Sequence, residues 1–203
     1  MEDLAPLAFK LSPLGASTWP MPDVAAPIYP AVDFAQCRVG GSHALRQYMH
    51  MANWAPEDVD IFCDAPTQVE FKKILADFIT KHGQEKVEVI EREEPRYSRE
   101  DFVPGFRGSA LLRIEGVPIP VQFVGFNLAG YGDGTWPLEK RIAAITDAPA
   151  SVSYAVDADG VREFYVPPTV ANNIETGRVK TYMCTNEARR DKYEARGFVF
   201  EYM

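Results

Sequence analysis

The chain has 203 residues, 46% of them hydrophobic and 25% charged, with a formal net charge of −8. That length suits one domain whose core needs no disulfide or metal staple, and an acidic surface repels nucleic-acid phosphate, which excludes extensive non-specific DNA binding. Apolar runs too short for a membrane span, a start unlike a secretory signal and three scattered cysteines (Cys37, Cys63, Cys184) without CxxC spacing lead us to expect a cytoplasmic protein with reduced thiols and no membrane partner.

Residues 1–33 contain Pro6, Pro13, Pro20, Pro22, Pro27 and Pro30. Proline fixes φ and removes a backbone donor, so regular structure is hard to sustain there. We read 1–33 as an extended arm, held on the surface by Phe9, Trp19 and Tyr29 or docked on a partner, and 34–203 as the folded domain. Residues 33–39 read as a short strand running into Gly40-Gly41-Ser42, followed by a helix over 43–51. Residues 57–62 alternate, which puts Asp58 and Asp60 on one side of a strand and Val59 and Ile61 on the other. Thr67 and Glu70 form a capping-box pattern. The helix after it carries Phe71, Ile74, Leu75, Phe78 and Ile79 on one face and stops at Gly83.

A strand is expected over 86–90, then a charged loop over 91–101. Residues 109–114 and 119–125 read as paired strands around Gly116-Val117-Pro118, and 136–145 as a helix. Asp157-Ala158-Asp159-Gly160 signals a hairpin between strands over 151–156 and 161–166. A short helix over 169–176 ending at Gly177, a strand over 178–183, a helix over 186–196 stopped by Gly197 and a last strand over 198–202 complete an α+β chain.

Three features coincide in the first half: a strand ending in Gly-Gly-Ser, a helix, and a strand presenting Asp-x-Asp. Glycines let backbone approach a phosphate closely, and the helix that follows points free N–H groups and its positive dipole end at that anion. The Ser42 hydroxyl adds a hydrogen bond. Asp58 and Asp60 repel each other unless a cation lies between them. Mg²⁺ suits that position because it prefers oxygen ligands and bridges carboxylates to phosphates. Either motif alone is common in turns and strand edges; their order and spacing give them weight. In the last helix Arg189, Lys192 and Arg196 share a face with Tyr193 adjacent, a surface for phosphates and a stacked base or, equally, an amphipathic helix pairing with neighbouring acids. Arg46, one turn into the first helix, faces either a triphosphate or a surface ion pair. His43 is read as opening that helix and Trp54 as core packing.

Val39-Gly40-Gly41-Ser42 and Glu57-Asp58-Val59-Asp60-Ile61-Phe62 resemble the signature of the DNA polymerase beta-like nucleotidyltransferases, which include tRNA CCA-adding enzymes, antibiotic nucleotidyltransferases and toxin or antitoxin proteins. With Val121-Gln122-Phe123-Val124 and the stretch from Arg189 to Phe198, the chain is most similar to small phage-encoded nucleotidyltransferase-like proteins. The resemblance spans most of 34–200, though only these stretches are sharp, and the linker from Ser42 to Asp58 is somewhat long for the superfamily. It implies a mixed sheet flanked by helices and transfer of a nucleotidyl group from a nucleoside triphosphate to a hydroxyl on RNA, protein or a small molecule. It further implies Asp58 and Asp60 as catalytic metal ligands for Mg²⁺, Gly40, Gly41, Ser42, Lys192 and Arg196 as nucleotide contacts, and a cytoplasmic setting, the host's if phage-encoded. The superfamily's third carboxylate falls here on Gln122, a neutral side chain that cannot act as a base; Glu115 and Asp147 are substitutes, but neither sits on the expected strand. Gln122 therefore keeps a second expectation open, a catalytically inactive binding protein of antitoxin, counter-defence or virion type, and the proline-rich arm suits it.

Overall fold

Backbone alternation decides what each face of the central strands carries. In the computed structural model, which describes residues 23–49, 54–93, 105–132, 135–146, 149–181 and 187–202, seven strands form one sheet. These are β1 (Cys37–Gly40), β2 (Val59–Asp64), β3 (Val87–Glu93), β4 (Phe106–Ile114), β5 (Val121–Phe126), β6 (Ser153–Val156) and β7 (Arg162–Tyr165). Their order is β3-β4-β5-β2-β1-β6-β7, and the β2–β5 pair is parallel while the other five are antiparallel. On β2, Val59, Ile61 and Cys63 are fully buried on one face, and Asp60, Phe62 and Asp64 occupy the other. β5 repeats the pattern with Val121 and Phe123 against Gln122 and Val124.

The apolar face is covered by α2 (Gln68–His82). Thr67 Oγ1 accepts from the Glu70 N–H at 3.2 Å, and the Glu70 carboxylate accepts from the Thr67 N–H at 3.0 Å, so the capping box satisfies two end donors reciprocally. Phe71, Leu75 and Phe78 recur at helical spacing and are buried; each such side chain contributes about 1.5–3 kcal/mol. Phe78 packs on Phe123 with ring centroids 4.6 Å apart. Phe71 lies over Gly125, where a Cβ would come 2.7 Å from its Cγ. Gly83, at φ 109°, ends the helix.

The opposite face is covered at one end by α3 (Leu138–Ile145), whose Ile142 is buried in a cluster with Phe126 and Leu128 that Phe62, Phe106 and Val124 adjoin. Two ion pairs hold α3 to the sheet, Arg141 to Asp64 at 2.7 Å and Arg38 to Glu139 at 3.1 Å. The hairpin between β6 and β7 closes as its turn residues predict: Asp157 Oδ1 accepts from the N–H groups of Asp159 and Val161. Near the C-terminus, α4 (Pro168–Thr176) stops at Gly177, left-handed at φ 65°. β8 (Arg178–Thr181) and β9 (Val199–Tyr202) then pair in parallel, joined through α5 (Glu187–Glu194).

The chain differs from its sequence-based expectation in several places: β1 begins at Cys37 rather than 33, after a turn, and α1 runs from Gly41 to Tyr48 rather than over 43–51. Residues 26–31 are no surface arm: a 3-10 helix over Ala26–Ala31 buries Ile28 and Ala31 in the main core, and Ala25 and Val32 flank it there. Pro27 fits because it sits at the helix start, where its missing N–H costs nothing, while Pro30 lies inside the short helix. Asp23 fixes this segment by accepting from Tyr29 Oη and the Ala25 N–H and by contacting His43 Nε2 at 3.2 Å. Residues 1–22, with Phe9 and Trp19, lie outside the described residues. β3 runs on to Glu93, because ladder bonds to β4 satisfy the backbone whatever the side-chain charge, and Glu88, Glu91, Arg92 and Glu93 dress an exposed edge; the remainder of the charged loop is outside the described residues. α5 ends at Glu194, two residues short of expectation, with Gly197 at φ 93° beyond it. Cys37 and Cys63 are buried free thiols facing each other across β1 and β2. Among the described residues no helix is long and apolar enough to cross a membrane.

Candidate functional site

The polar face of the sheet floors a cleft of about 680 Å³. Its first row is set by strand register: Gly40 pairs with Asp60 across β1 and β2, and Asp60 with Gln122 across β2 and β5. Asp58, just before β2, projects into the same cleft. Gly40 ends β1 and α1 (Gly41–Tyr48) begins directly after it, so Gly41 and Ser42 line the cleft as the helix's first turn. Gly41 has φ +63°, and the Asp60 carboxylate fills the space where its Cβ would be, with Cγ 2.9 Å from that point. Only glycine meets both demands. Ser42 Oγ is buried without a hydrogen-bond partner among the described residues. The opposite wall is α5, which contributes Arg189, Lys192 and Tyr193.

Burial and the neighbouring Asp58 charge push the Asp60 carboxyl up to about 7, and the Lys192 and Arg189 charges only partly offset them. A carboxyl so perturbed inside a cleft is a candidate functional group. The donor set fits Mg²⁺: two carboxylates, an amide oxygen from Gln122 and a hydroxyl are all hard oxygen ligands, and Mg²⁺ commonly takes only one or two protein carboxylates, with phosphate and water completing its shell. Among the described residues no group of three His, Cys, Asp or Glu side chains converges on one point. Lys192 Nζ contacts Glu57 Oε2 at 2.9 Å, and this contact holds the exposed Glu57 carboxyl below its ordinary value.

Of the residues singled out from sequence, Gly41, Ser42, Asp58, Asp60, Gln122, Arg189, Lys192 and Tyr193 meet in this cleft. Gly40, beside Asp60 in the sheet, packs against the Phe62 ring and does not itself line the cleft. Arg196 and Arg46 are placed elsewhere. The Arg196 guanidinium stacks on Trp54, 4.2 Å from the ring centroid, and lies 5.3 Å from that of Tyr193. Arg46 is buried and donates to the Trp54 and Met49 carbonyls, bracing the end of α1. Burial draws the guanidinium below its usual value. His43 points into the core toward Asp23, and Trp54 packs on the core as expected. Glu115 follows β4 in an exposed turn, and Asp147 is outside the described residues. Sequence reasoning missed Glu57 as the partner of Lys192 and missed Phe62 in the cleft. For Phe62 the signal was present, since it lies two residues beyond Asp60 on the same face.

The mixed sheet, its glycine loop and its flanking helices define a nucleotidyltransferase-type fold. A CCA-adding enzyme in complex with CTP matches with a TM-score of 0.54 and 11% identity, over 89% of this chain and 40% of that one. A tRNA nucleotidyltransferase complexed with a primer tRNA and an incoming ATP analog aligns with a TM-score of 0.43 and 12% identity, over 71% of this chain and 34% of that one. The chain thus spans less than half the length of either, and the likeness to the CCA-adding enzyme is one of fold. No family model and no curated protein matches the sequence.

Proposed function

We propose that this protein transfers a nucleotidyl group from a nucleoside triphosphate to a hydroxyl acceptor. The observation that carries the reading is the convergence of Asp58, Asp60 and the Gly41-Ser42 helix start on one cleft that also holds Lys192 and Arg189. The Ser42 hydroxyl and the free N–H groups of the first turn of α1 hold the outer phosphates. Lys192 and Arg189 face them from α5 and balance their charge. Asp58 and Asp60 hold Mg²⁺, which when bound supplies the charge neutralisation a triphosphate needs beside two carboxylates. The acceptor oxygen attacks the α-phosphorus and forms the new P–O bond. The bond from that phosphorus to the β-bridging oxygen breaks, pyrophosphate leaves with the electron pair, and the hydroxyl proton passes to water. Catalysis of this kind is chiefly positioning and electrostatics. Arg196 contributes indirectly, through the Trp54 and Tyr193 rings.

A second reading is a nucleotide-binding protein without turnover. Gln122, neutral and directly beside Asp60, favours it. One experiment separates the two: incubation with Mg²⁺ and each α-labelled triphosphate, following pyrophosphate release and label transfer. Turnover that disappears in both Asp58→Ala and Asp60→Ala supports the transferase. Mg²⁺-dependent binding without turnover supports the second reading, and no metal-dependent binding defeats both.

A further inference from the structure

The floor of the cleft changes character one row beyond the acids. Row one is Gly40, Asp60 and Gln122. Two residues along each strand, roughly 7 Å away, row two is Arg38, Phe62, Val124, Ser109 and Glu93, because Arg38 pairs with Phe62, Phe62 with Val124, Val124 with Ser109 and Ser109 with Glu93; Arg38 is held by Glu139 of α3 at 3.1 Å and does not line the cleft. Phe106 and Phe126 follow, edge to face at 5.7 Å, and Ile145 of α3 closes this end. Among the described residues lining this half, the one charged side chain is Glu93, exposed at the rim. A nucleic-acid backbone laid here would meet phenylalanine, valine and isoleucine side chains with a carboxylate beside them, and among the described residues lining this half would find no cation to replace its lost counterions. An aromatic or aliphatic ring would bury apolar surface against these side chains. The nucleotide's phosphates have their own partners in the other half, where α5 supplies Lys192 and Arg189; the Tyr193 ring is buried in the core against Phe198 and offers a base no open face.

From this two-part floor, and resting on the nucleotidyl-transfer reading of the charged half, we infer that the acceptor is a hydroxyl carried on an apolar ring rather than an RNA end. A ring over Phe62 and Val124 directs its hydroxyl back one row, to the edge of the Asp58–Asp60 pair, where the transfer step described above takes place. The same chemistry is presented by a free aryl alcohol and by a tyrosine side chain.

The test uses the full chain with Mg²⁺. Triphosphate binding is measured by calorimetry. Binding of phenethyl alcohol, N-acetyltyrosinamide, methyl riboside and a short oligoribonucleotide is followed by saturation-transfer NMR with triphosphate present. The two ring compounds bind in the presence of triphosphate, and the riboside and oligonucleotide do not; whichever of the two is also labelled from the triphosphate identifies the source. Val124→Asp and Ile145→Asp, each checked for a native melting transition, weaken ring binding about tenfold or more and change triphosphate affinity by less than about twofold. Three outcomes overturn the inference while leaving nucleotidyl transfer intact: ring compounds binding no better than the riboside, the oligonucleotide binding best, or both variants losing triphosphate affinity instead, which would make this half the seat of the base. Absence of Mg²⁺-dependent triphosphate binding overturns the underlying reading and the inference with it.

Discussion

Asp60 and Gln122 are direct neighbours across the parallel β2–β5 ladder, with Gly40 paired to Asp60 from the other side. A side chain at 122 therefore acts on the Asp60 carboxyl at close range. Gln122→Glu places a third carboxylate beside two that already repel. In EDTA at pH 8 the variant is expected to be less stable than wild type by about 1 kcal/mol. Added Mg²⁺ reverses the order, raising the variant's Tm more than the wild type's. Thermal unfolding at several Mg²⁺ concentrations checks it, and equal Mg²⁺ responses would remove Gln122 from the cation's surroundings.

Gly41→Ala tests the fit between the loop and Asp60. Alanine at φ +63° is strained, and its Cβ would occupy the space of the Asp60 carboxylate. The expected cost is about 2–3 kcal/mol in urea unfolding, together with loss of Mg²⁺-dependent triphosphate binding. Gly116→Ala is the control: its φ is +82°, but nothing among the described residues lies within 4 Å of the added Cβ, so it costs only about 1 kcal/mol of backbone strain. Equal losses in the two variants would show that the contact with Asp60 does not matter.

The raised Asp60 carboxyl makes stability depend on pH with a definite sign. The folded protein keeps this proton up to about pH 7, whereas a free aspartate releases it near 3.8. Between those values the folded state binds more protons than the unfolded one, so stability falls as pH rises. The contribution is complete below about pH 4 and is gone above about pH 7. Asp60→Asn stays neutral throughout. It is expected to match wild type near pH 4 and to exceed it by about 1–2 kcal/mol at pH 8, after allowance for solvent screening. Saturating Mg²⁺ at pH 8 narrows the gap by stabilising wild type alone. Denaturation curves across that range, with and without Mg²⁺, measure both effects.

Glu57 and Lys192 join the start of β2 to α5 through an exposed ion pair. Such pairs contribute little to stability, so Glu57→Gln should change unfolding free energy by less than about 0.5 kcal/mol. Its effect should appear in binding. With Lys192 no longer shared, triphosphate affinity at low salt rises by roughly 2–5-fold and its salt dependence steepens. Calorimetric titration at two ionic strengths checks this, and weaker binding would show that Glu57 holds Lys192 in its productive place.

Local chemistry made much of the fold legible. The Thr67–Glu70 capping box, the glycines at 83 and 177 and the Asp157–Gly160 turn act over a few residues, and each does in the structure what its sequence predicts. Alternation along 57–62 likewise placed Asp58 and Asp60 on one side. Where reasoning from local pattern failed, distant contacts had intervened. Proline content suggested an arm at 26–31, but burial of Ile28 and Ala31 against the core outweighed it. The basic spacing of α5 grouped Arg196 with Lys192, yet the Trp54 ring, 142 residues earlier in the chain, draws Arg196 out of the cleft.

By itself the sequence determined the glycine loop, the acidic pair and the helices and turns around them, because dihedral preference, capping and alternation are properties of neighbouring residues. Only the tertiary structure decided that β5 lies parallel to β2, that Gln122 therefore stands beside Asp60, and that Phe62, Val124 and Phe106 form one apolar floor beyond them. Strand partner and register depend on how the whole sheet buries its apolar face, and no short stretch of chain carries that information.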